Sequence, residues 1–163
     1  MVQMPPHASG NRALFLDLAG TLVRLDSNRE LPRDASGKIV VDLLSGVAER
    51  LTPEHSYLMF VVTNQAGISR GHITYRAVET AIKELDRMLG GILTAWQICP
   101  HTDGDGCDCR KPKPGMVREL AATYGVDLAG SLMVGDQLID EQCAAAAGIG
   151  RFIYAADFFG WKS

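Results

Sequence analysis

The chain is divided by short apolar runs, each followed by polar or glycine-bearing sequence. The first, Ala13-Leu14-Phe15-Leu16, is continuous rather than alternating, the pattern of a parallel strand buried on both faces. Tyr57 to Thr63 repeats that pattern. Further strands are predicted within Ile92–Cys99, at Leu132–Val134 and at Arg151–Tyr154. Between them lie stretches with helical periodicity. Thr74 to Leu89 places Val78, Ile82, Leu85 and Leu89 on one stripe, and Gly90-Gly91 ends it. A second helix runs from Pro114, suited to a first helical position, to near Gly125. A third runs from about Ile139 to Ala147 and closes at Gly148. Ser45 is expected to cap a short helix from Gly46 to near Pro53. Arg24 to Lys38 reads as an exposed loop or hairpin flap. The C-terminus, with Phe158, Phe159 and Trp161, is expected to pack back on the core. Strands alternating with helices at this spacing predict an α/β fold with a right-handed, doubly wound parallel sheet.

Composition bounds this picture. A chain of 163 residues suits one domain, placed here at 13–163. Hydrophobic residues at 47% and charged residues at 21% are an ordinary globular mixture. A net charge of -3 gives no reason to expect nucleic acid or an anionic membrane as partner. No apolar run approaches a membrane span. Residues 1–12, with Pro5, Pro6, His7, Ser9 and Gly10, lack a basic start and an apolar centre, and read as a flexible tail rather than a signal peptide. The expected setting is cytoplasmic and reducing, with the chain a monomer acting on a small molecule. Its four cysteines are then not expected to form disulfides.

The polar residues that follow the strands carry the chemistry. Asp17 falls at the carboxyl end of the first strand, where open α/β sheets place ligands. A carboxylate there is costly unless a cation meets it; the plain alternative is a helix N-cap. Gly20 permits a sharp turn close to a ligand. Thr63 ends the second strand and Asn64 follows it, and both suit a phosphoryl oxygen. Lys111 suits the charge of Asp17 and a phosphate together. Asp136 follows the fourth strand and, with Asp17, suits a hard cation such as Mg²⁺; it too has a plain reading as a helix cap. Cys99, His101, Cys107 and Cys109 form C-x-H-x5-C-x-C, a set that suits closed tetrahedral zinc, the plain alternative being a reduced surface loop without metal. Cys143, in the alanine-rich helix, reads as a small core residue.

In this order, the motifs resemble the haloacid dehalogenase superfamily of phosphohydrolases. Asp17-x-Ala19-Gly20-Thr21 is similar to its first motif, Thr63 to its second, Lys111 to its third and Gly135-Asp136-x-x-x-Asp140 to its fourth. The resemblance implies a three-layer, Rossmann-like fold, an aspartyl-phosphate on Asp17, and Mg²⁺ held by Asp17, the carbonyl of residue 19 and Asp136. Asp140 would support that loop from behind. Thr63-Asn64-Gln65-x-Gly67-Ile68-x-Arg70-Gly71 and the Cys-Pro-His to Cys-x-Cys-Arg-Lys-Pro pattern narrow the likeness. They resemble the heptose 1,7-bisphosphate and histidinol-phosphate phosphatase branch, although the spacer between the ligand pairs is shorter. That implies structural zinc on the 99–109 loop. It also implies substrate contacts from Gly20, Thr21, Asn64, Arg70 and Arg110, and catalytic roles for Asp17, Thr63, Lys111 and Asp136. Neither gap between motifs accommodates a cap domain, so the zinc loop and the 24–38 flap are expected to rim an open site.

One position departs from the family. Its phosphatases carry a second aspartate two residues after the nucleophile, which protonates the leaving group and then activates water. Here that residue is Ala19, and loss of such a group typically costs ~10²–10⁴ in rate. Three readings follow: a phosphatase weakened at Ala19, by nature or by engineering; a non-catalytic phosphate-binding or regulatory protein; or carbon–phosphorus chemistry like that of phosphonoacetaldehyde hydrolase, which has alanine at this position but uses a cap-domain lysine. Neither Lys38 nor Lys83 sits in a matching motif.

Overall fold

The computed structural model describes residues 10–52 and 56–162. Five parallel strands form the sheet: β1 (Ala13–Leu16), β2 (Leu58–Asn64), β3 (Ala95–Cys99), β4 (Leu132–Gly135) and β5 (Arg151–Tyr154). Their spatial order is β3-β2-β1-β4-β5. The chain moves outward from β1 through β2 to β3, then returns to the other side of β1. This reversal leaves a crevice between the carboxyl ends of β1 and β4, where doubly wound sheets bind ligands. Phe15 pairs with Phe60 and Met133, and Leu16 with Val61 and Val134.

Strand periodicity divides the core in two. Leu14, Leu16, Met59 and Val61 face one way, onto Val78, Ile82 and Leu85 of α2 (Tyr75–Met88) and Phe159 of α5 (Ala155–Phe159). Ala13, Phe15, Phe60 and Val62 face the other way, onto Met116, Val117 and Leu120 of α3 (Gly115–Tyr124) and Cys143, Ala144 and Ala147 of α4 (Leu138–Ala147). The outward and return legs thus place their helices on opposite faces, as crossovers of one hand require. The result is the expected three-layer α/β fold. Among the described residues, no helix is long and apolar enough to cross a membrane.

The expected stripe of α2 is buried at Val78, Ile82, Leu85 and Leu89, and the Thr74 side chain caps the helix by accepting from Ala77 N. The short helix α1 (Val47–Arg50) differs from expectation. Its N-cap is Gly46, at φ 80°, with no side-chain cap bond, and not Ser45. The reason is packing: a Cβ on residue 46 would lie 2.5 Å from the Phe159 carbonyl oxygen. Ser45 instead offers its own carbonyl to Trp161 Nε1 at 2.6 Å, which ties the C-terminal segment to the core. Pro53, the expected end, lies outside the described residues. Pro114 caps α3 rather than opening it. The helix α5 and a 3₁₀ turn at Asp103–Asp105 were not expected; each is too short to show a period. Of the expected tail, residues 1–9 lie outside the described set. Asn11 already belongs to the fold, donating from its N–H to Gly125 O and from Nδ2 to Tyr124 O, both at 3.0 Å.

Leu85→Ala is expected to destabilise the protein by about 2–5 kcal/mol, because its cavity opens between α2 and the sheet. Met88→Ala, on the exposed side of the same helix, should cost less than about 1 kcal/mol. Urea unfolding of both variants checks this.

Candidate active site

β1 ends immediately before Asp17, whose N–H continues the ladder by donating to Val134 O at 3.1 Å. Asp17 is therefore fixed at the crevice between β1 and β4. No helix follows it, so the cap reading does not apply. Asp136 follows β4 directly and is not a cap either; α4 is capped by Gln137, whose backbone N–H donates to Asp140 Oδ2 at 3.1 Å. Thr21 joins the two acids, its hydroxyl lying 3.1 Å from Asp17 Oδ2 and 3.2 Å from Asp136 Oδ1. Gly20 makes this approach possible: it sits at φ 84°, and a Cβ there would lie 2.5 Å from Asp136 Oδ2.

Lys111 is the positive centre of the site and is only 2% exposed. Its ammonium donates to Asp17 Oδ1 at 2.8 Å, Asp140 Oδ1 at 2.7 Å and Val62 O at 2.9 Å. All three donors are used, which offsets the cost of burying the charge. Burial alone would pull its pKa down; Asp17 and Asp140 outweigh that and hold it above the ordinary lysine value. Asn64 sets the lysine's backbone. Its Oδ1 accepts from Lys111 N and its Nδ2 donates to Lys111 O, both at 3.0 Å. The structure thus gives Asn64 a positioning contact that its motif did not announce, while it still lines the pocket. Thr63 is buried and accepts from Gln65 Nε2 at 2.9 Å, leaving its own hydroxyl proton for an acceptor in the pocket.

Three carboxylates, Asp17, Asp136 and Asp140, bring their oxygens within 4.8 Å of one another. Lys111 offsets part of that charge. Burial works against the Asp17 anion, yet Lys111 keeps its pKa below the ordinary value. Asp136 lacks such a partner within the core. Burial first, then the adjacent Asp17, push it up to about 7. An oxygen-lined cluster with excess negative charge is suited to a hard divalent cation.

The pocket in front of this cluster is lined by Asp17, Ala19, Thr63, Asn64 and Lys111 on one side. Arg70 and Arg110, both expected, also line it. Arg110 is braced through Nε to Asp103 Oδ1 at 2.7 Å and through Nη1 to His101 O at 3.0 Å. The 24–38 segment closes the far side, as expected of a flap. Its contributions Arg29, Glu30 and Arg33 were not foreseen. Arg29 reaches Asp136 Oδ2 at 3.2 Å from a left-handed backbone at φ 62°. The only trace of this in sequence is the turn-forming run Asp26-Ser27-Asn28.

Beside the pocket, Cys99, His101, Cys107 and Cys109 gather their ligand atoms within 4.8 Å. Tetrahedral zinc with metal–sulfur bonds of about 2.3 Å has sulfur–sulfur edges of about 3.8 Å. Cys99 to Cys107 is 3.7 Å, and Cys99 to His101 Nδ1 is 3.5 Å; Cys99 to Cys109 is closer, at 2.8 Å. Burial works against the Cys107 thiolate, but the N–H of Arg110 and the neighbouring thiols bring it down to about 7. Cys143 is buried and stands apart from this set, packed against α3, as expected.

A doubly wound sheet that brings Asp17, Thr63, Lys111 and Asp136, in this sequence order, together at the carboxyl edge of its strands defines the haloacid dehalogenase class. Within it, the chain belongs to the polynucleotide kinase 3 phosphatase family, whose model matches residues 12–143. Its relatives include the D-glycero-beta-D-manno-heptose-1,7-bisphosphate 7-phosphatase of Bordetella bronchiseptica, 44% identical over 102 residues, 61% of this chain and 56% of that protein. The enzyme of the same name from Salmonella typhi is 37% identical over 150 residues, 85% of this chain and 77% of that protein. In the Bordetella and Pseudomonas aeruginosa relatives, the match spans only about half of the protein, 56% and 50%. A crystal structure of the B. bronchiseptica D,D-heptose 1,7-bisphosphate phosphatase, complexed with magnesium and phosphate, superimposes with a TM-score of 0.75 at 34% identity, covering 86% of this chain and 78% of that one.

The raised Asp136 pKa has a signed consequence for the metal-free protein. Between its ordinary 3.8 and about 7, the folded state holds a proton that the unfolded state has released. Stability should therefore fall as pH rises through that window. Asp136→Asn should flatten this slope, as measured by urea unfolding in Mg²⁺-free buffer.

Proposed function

We propose that this chain is a Mg²⁺-dependent phosphatase of a small phosphorylated sugar or similar phosphomonoester, working through an aspartyl-phosphate on Asp17. The observation that carries this reading is the buried Asp17–Lys111 contact at 2.8 Å beside Asp136. A module that merely binds phosphate has no need of a carboxylate aimed at the bound anion. The relatives named above support heptose 1,7-bisphosphate as the first substrate to test.

Asp17, Asp136 and the carbonyl of residue 19 are the groups that would hold Mg²⁺. When bound, Mg²⁺ supplies Lewis-acid charge against the phosphoryl oxygens. The chain's own residues do the rest. An Asp17 oxygen attacks phosphorus while Lys111 fixes its other oxygen. Lys111 and the Thr63 hydroxyl offset the charge that develops on the phosphoryl group. Arg70 and Arg110 hold the remainder of the substrate, with Gly20 and Thr21 shaping the turn beneath it. Cys99, His101, Cys107 and Cys109 would hold structural zinc, bracing Arg110 through His101 and Asp103.

Ala19 lines the pocket and cannot transfer a proton. This observation favours the second reading, a phosphate-binding protein without turnover. Carbon–phosphorus chemistry through a Schiff base finds less support. Lys111 is the only lysine among the described lining residues, and it is fully engaged, while Lys38 and Lys83 line a separate groove against α2.

Phosphate release with Mg²⁺ decides between these readings. Wild type should turn over slowly, Asp17→Asn not at all, and Ala19→Asp ~100-fold faster than wild type. Wild type should also show a phosphate mass adduct on Asp17. Metal binding with no adduct and no release from either wild type or Ala19→Asp would establish the binding-protein reading. Elemental analysis should find about one zinc per chain, and Cys107→Ser should lose that zinc together with thermal stability.

A further inference from the structure

With Ala19 in place, the pocket lacks the carboxyl group that phosphatase chemistry uses twice. Among its described lining residues, the carboxylates are Asp17 and Glu30. Asp17 is committed, with one oxygen on Lys111 and the other on Thr21. Glu30 stands on the flap across the pocket, its side chain 29% exposed.

Glu30 is held in place from several directions. Its N–H donates to Asp26 Oδ1 at 2.9 Å, within the turn that also puts Arg29 in its left-handed conformation. Its Oε1 lies 3.2 Å from His72 Nδ1, and its Oε2 4.0 Å from Arg33 Nη2. Arg33 also donates to the His72 carbonyl. His72 is tied in turn to the loop after β2, its N–H donating to Gly67 O at 2.8 Å. Arg29, the preceding residue, reaches Asp136. The flap is thus moored to both walls of the site, with Glu30 between the moorings. Such fixation suits a group that must meet a substrate atom; a loop carboxylate that only keeps the flap soluble needs none of it.

We infer that Glu30 is the proton-transfer residue of this site, with His72 as its positioning residue. The inference rests on the phosphatase reading. In the first half-reaction the bond from Asp17 to phosphorus forms and the bond to the leaving oxygen breaks. That oxygen takes the proton of the Glu30 carboxyl group. In the second half, the Glu30 carboxylate takes a proton from water as the water oxygen attacks phosphorus. The Asp17–phosphorus bond breaks, phosphate leaves, and Glu30 is protonated again. Reaching in from the flap, Glu30 works less well than an aspartate at position 19, so turnover is slow but present.

The test is leaving-group dependence, read as kcat/KM with Mg²⁺ on glycerol phosphate and on 4-nitrophenyl phosphate. This parameter reports steps up to loss of the leaving group. An alkoxide needs a proton; nitrophenolate does not. Glu30→Gln should cost about tenfold or more on glycerol phosphate and less than about twofold on the aryl ester. It should also accumulate the aspartyl-phosphate. The double variant Ala19→Asp/Glu30→Gln should regain the alkyl rate, which shows at once that the Glu30→Gln change leaves the fold intact. Equal losses on both substrates would make Glu30 a flap staple and overturn the proposal, as would unchanged rates on both. If wild type and Ala19→Asp both form no adduct and release no phosphate, the phosphatase reading itself fails and this inference falls with it. Activity in both, with Glu30→Gln unaltered, removes the Glu30 role alone.

Discussion

The site depends on one buried ammonium. Lys111 holds Asp17 at the end of β1, Asp140 in the first turn of α4 and the Val62 carbonyl of β2. Three elements from different parts of the chain therefore meet at a single nitrogen. Removing one partner of such a group leaves an uncompensated buried charge, a penalty of about 3–5 kcal/mol. The same contacts that join β1, β2 and α4 also orient the Asp17 oxygens. Structure and chemistry cannot be separated at this position, and Asn64 guards it by bonding both backbone groups of Lys111.

Charge balance then sets the roles of the acids. Asp17 and Asp140 share the lysine, whereas Asp136 faces Asp17 across the Thr21 hydroxyl, and the cation it meets among the described residues is the exposed Arg29 from the flap. Asp136 is accordingly the acid whose ionised form is least supported. A divalent cation would supply what it lacks. The flap contact is the weaker substitute, made by an arginine whose side chain is 56% exposed.

Most of this was legible in the sequence because the strands are buried on both faces. Continuous apolar runs mark such strands, and the residue that follows each one is placed by topology at the same edge. Asp17 and Asp136 could be read for that reason, Thr63 as the polar end of β2, Lys111, in the loop between β3 and α3, from its motif, and the Cys/His loop from spacing. The flap could not. Its shape comes from an Asx turn at Asp26, one left-handed arginine and long-range contacts to His72 and Asp136, none of which has a period. Gly46 was missed for a related reason: its conformation answers to the Phe159 backbone, at the far end of the chain. The bonds from Asn64 to the Lys111 backbone span 47 residues, so no local pattern announces them.

Ala19 and its surroundings show how separable the parts of such a site are. Asp17 and Asp140 are buried and both bonded to the buried Lys111, so changing any one of the three breaks a network and endangers the fold. Position 19 faces the pocket and is only partly buried. An aspartate there would interact with substrate and water, and its loss leaves no buried group unsatisfied. The electrostatic frame can therefore persist unchanged while the proton-transfer group is lost, moved or restored. Under the phosphatase reading proposed above, the frame that holds Asp17 against Lys111 is what would accept a phosphoryl group. On that reading, residue 19 and the flap would set how quickly the leaving group and the phosphate come away.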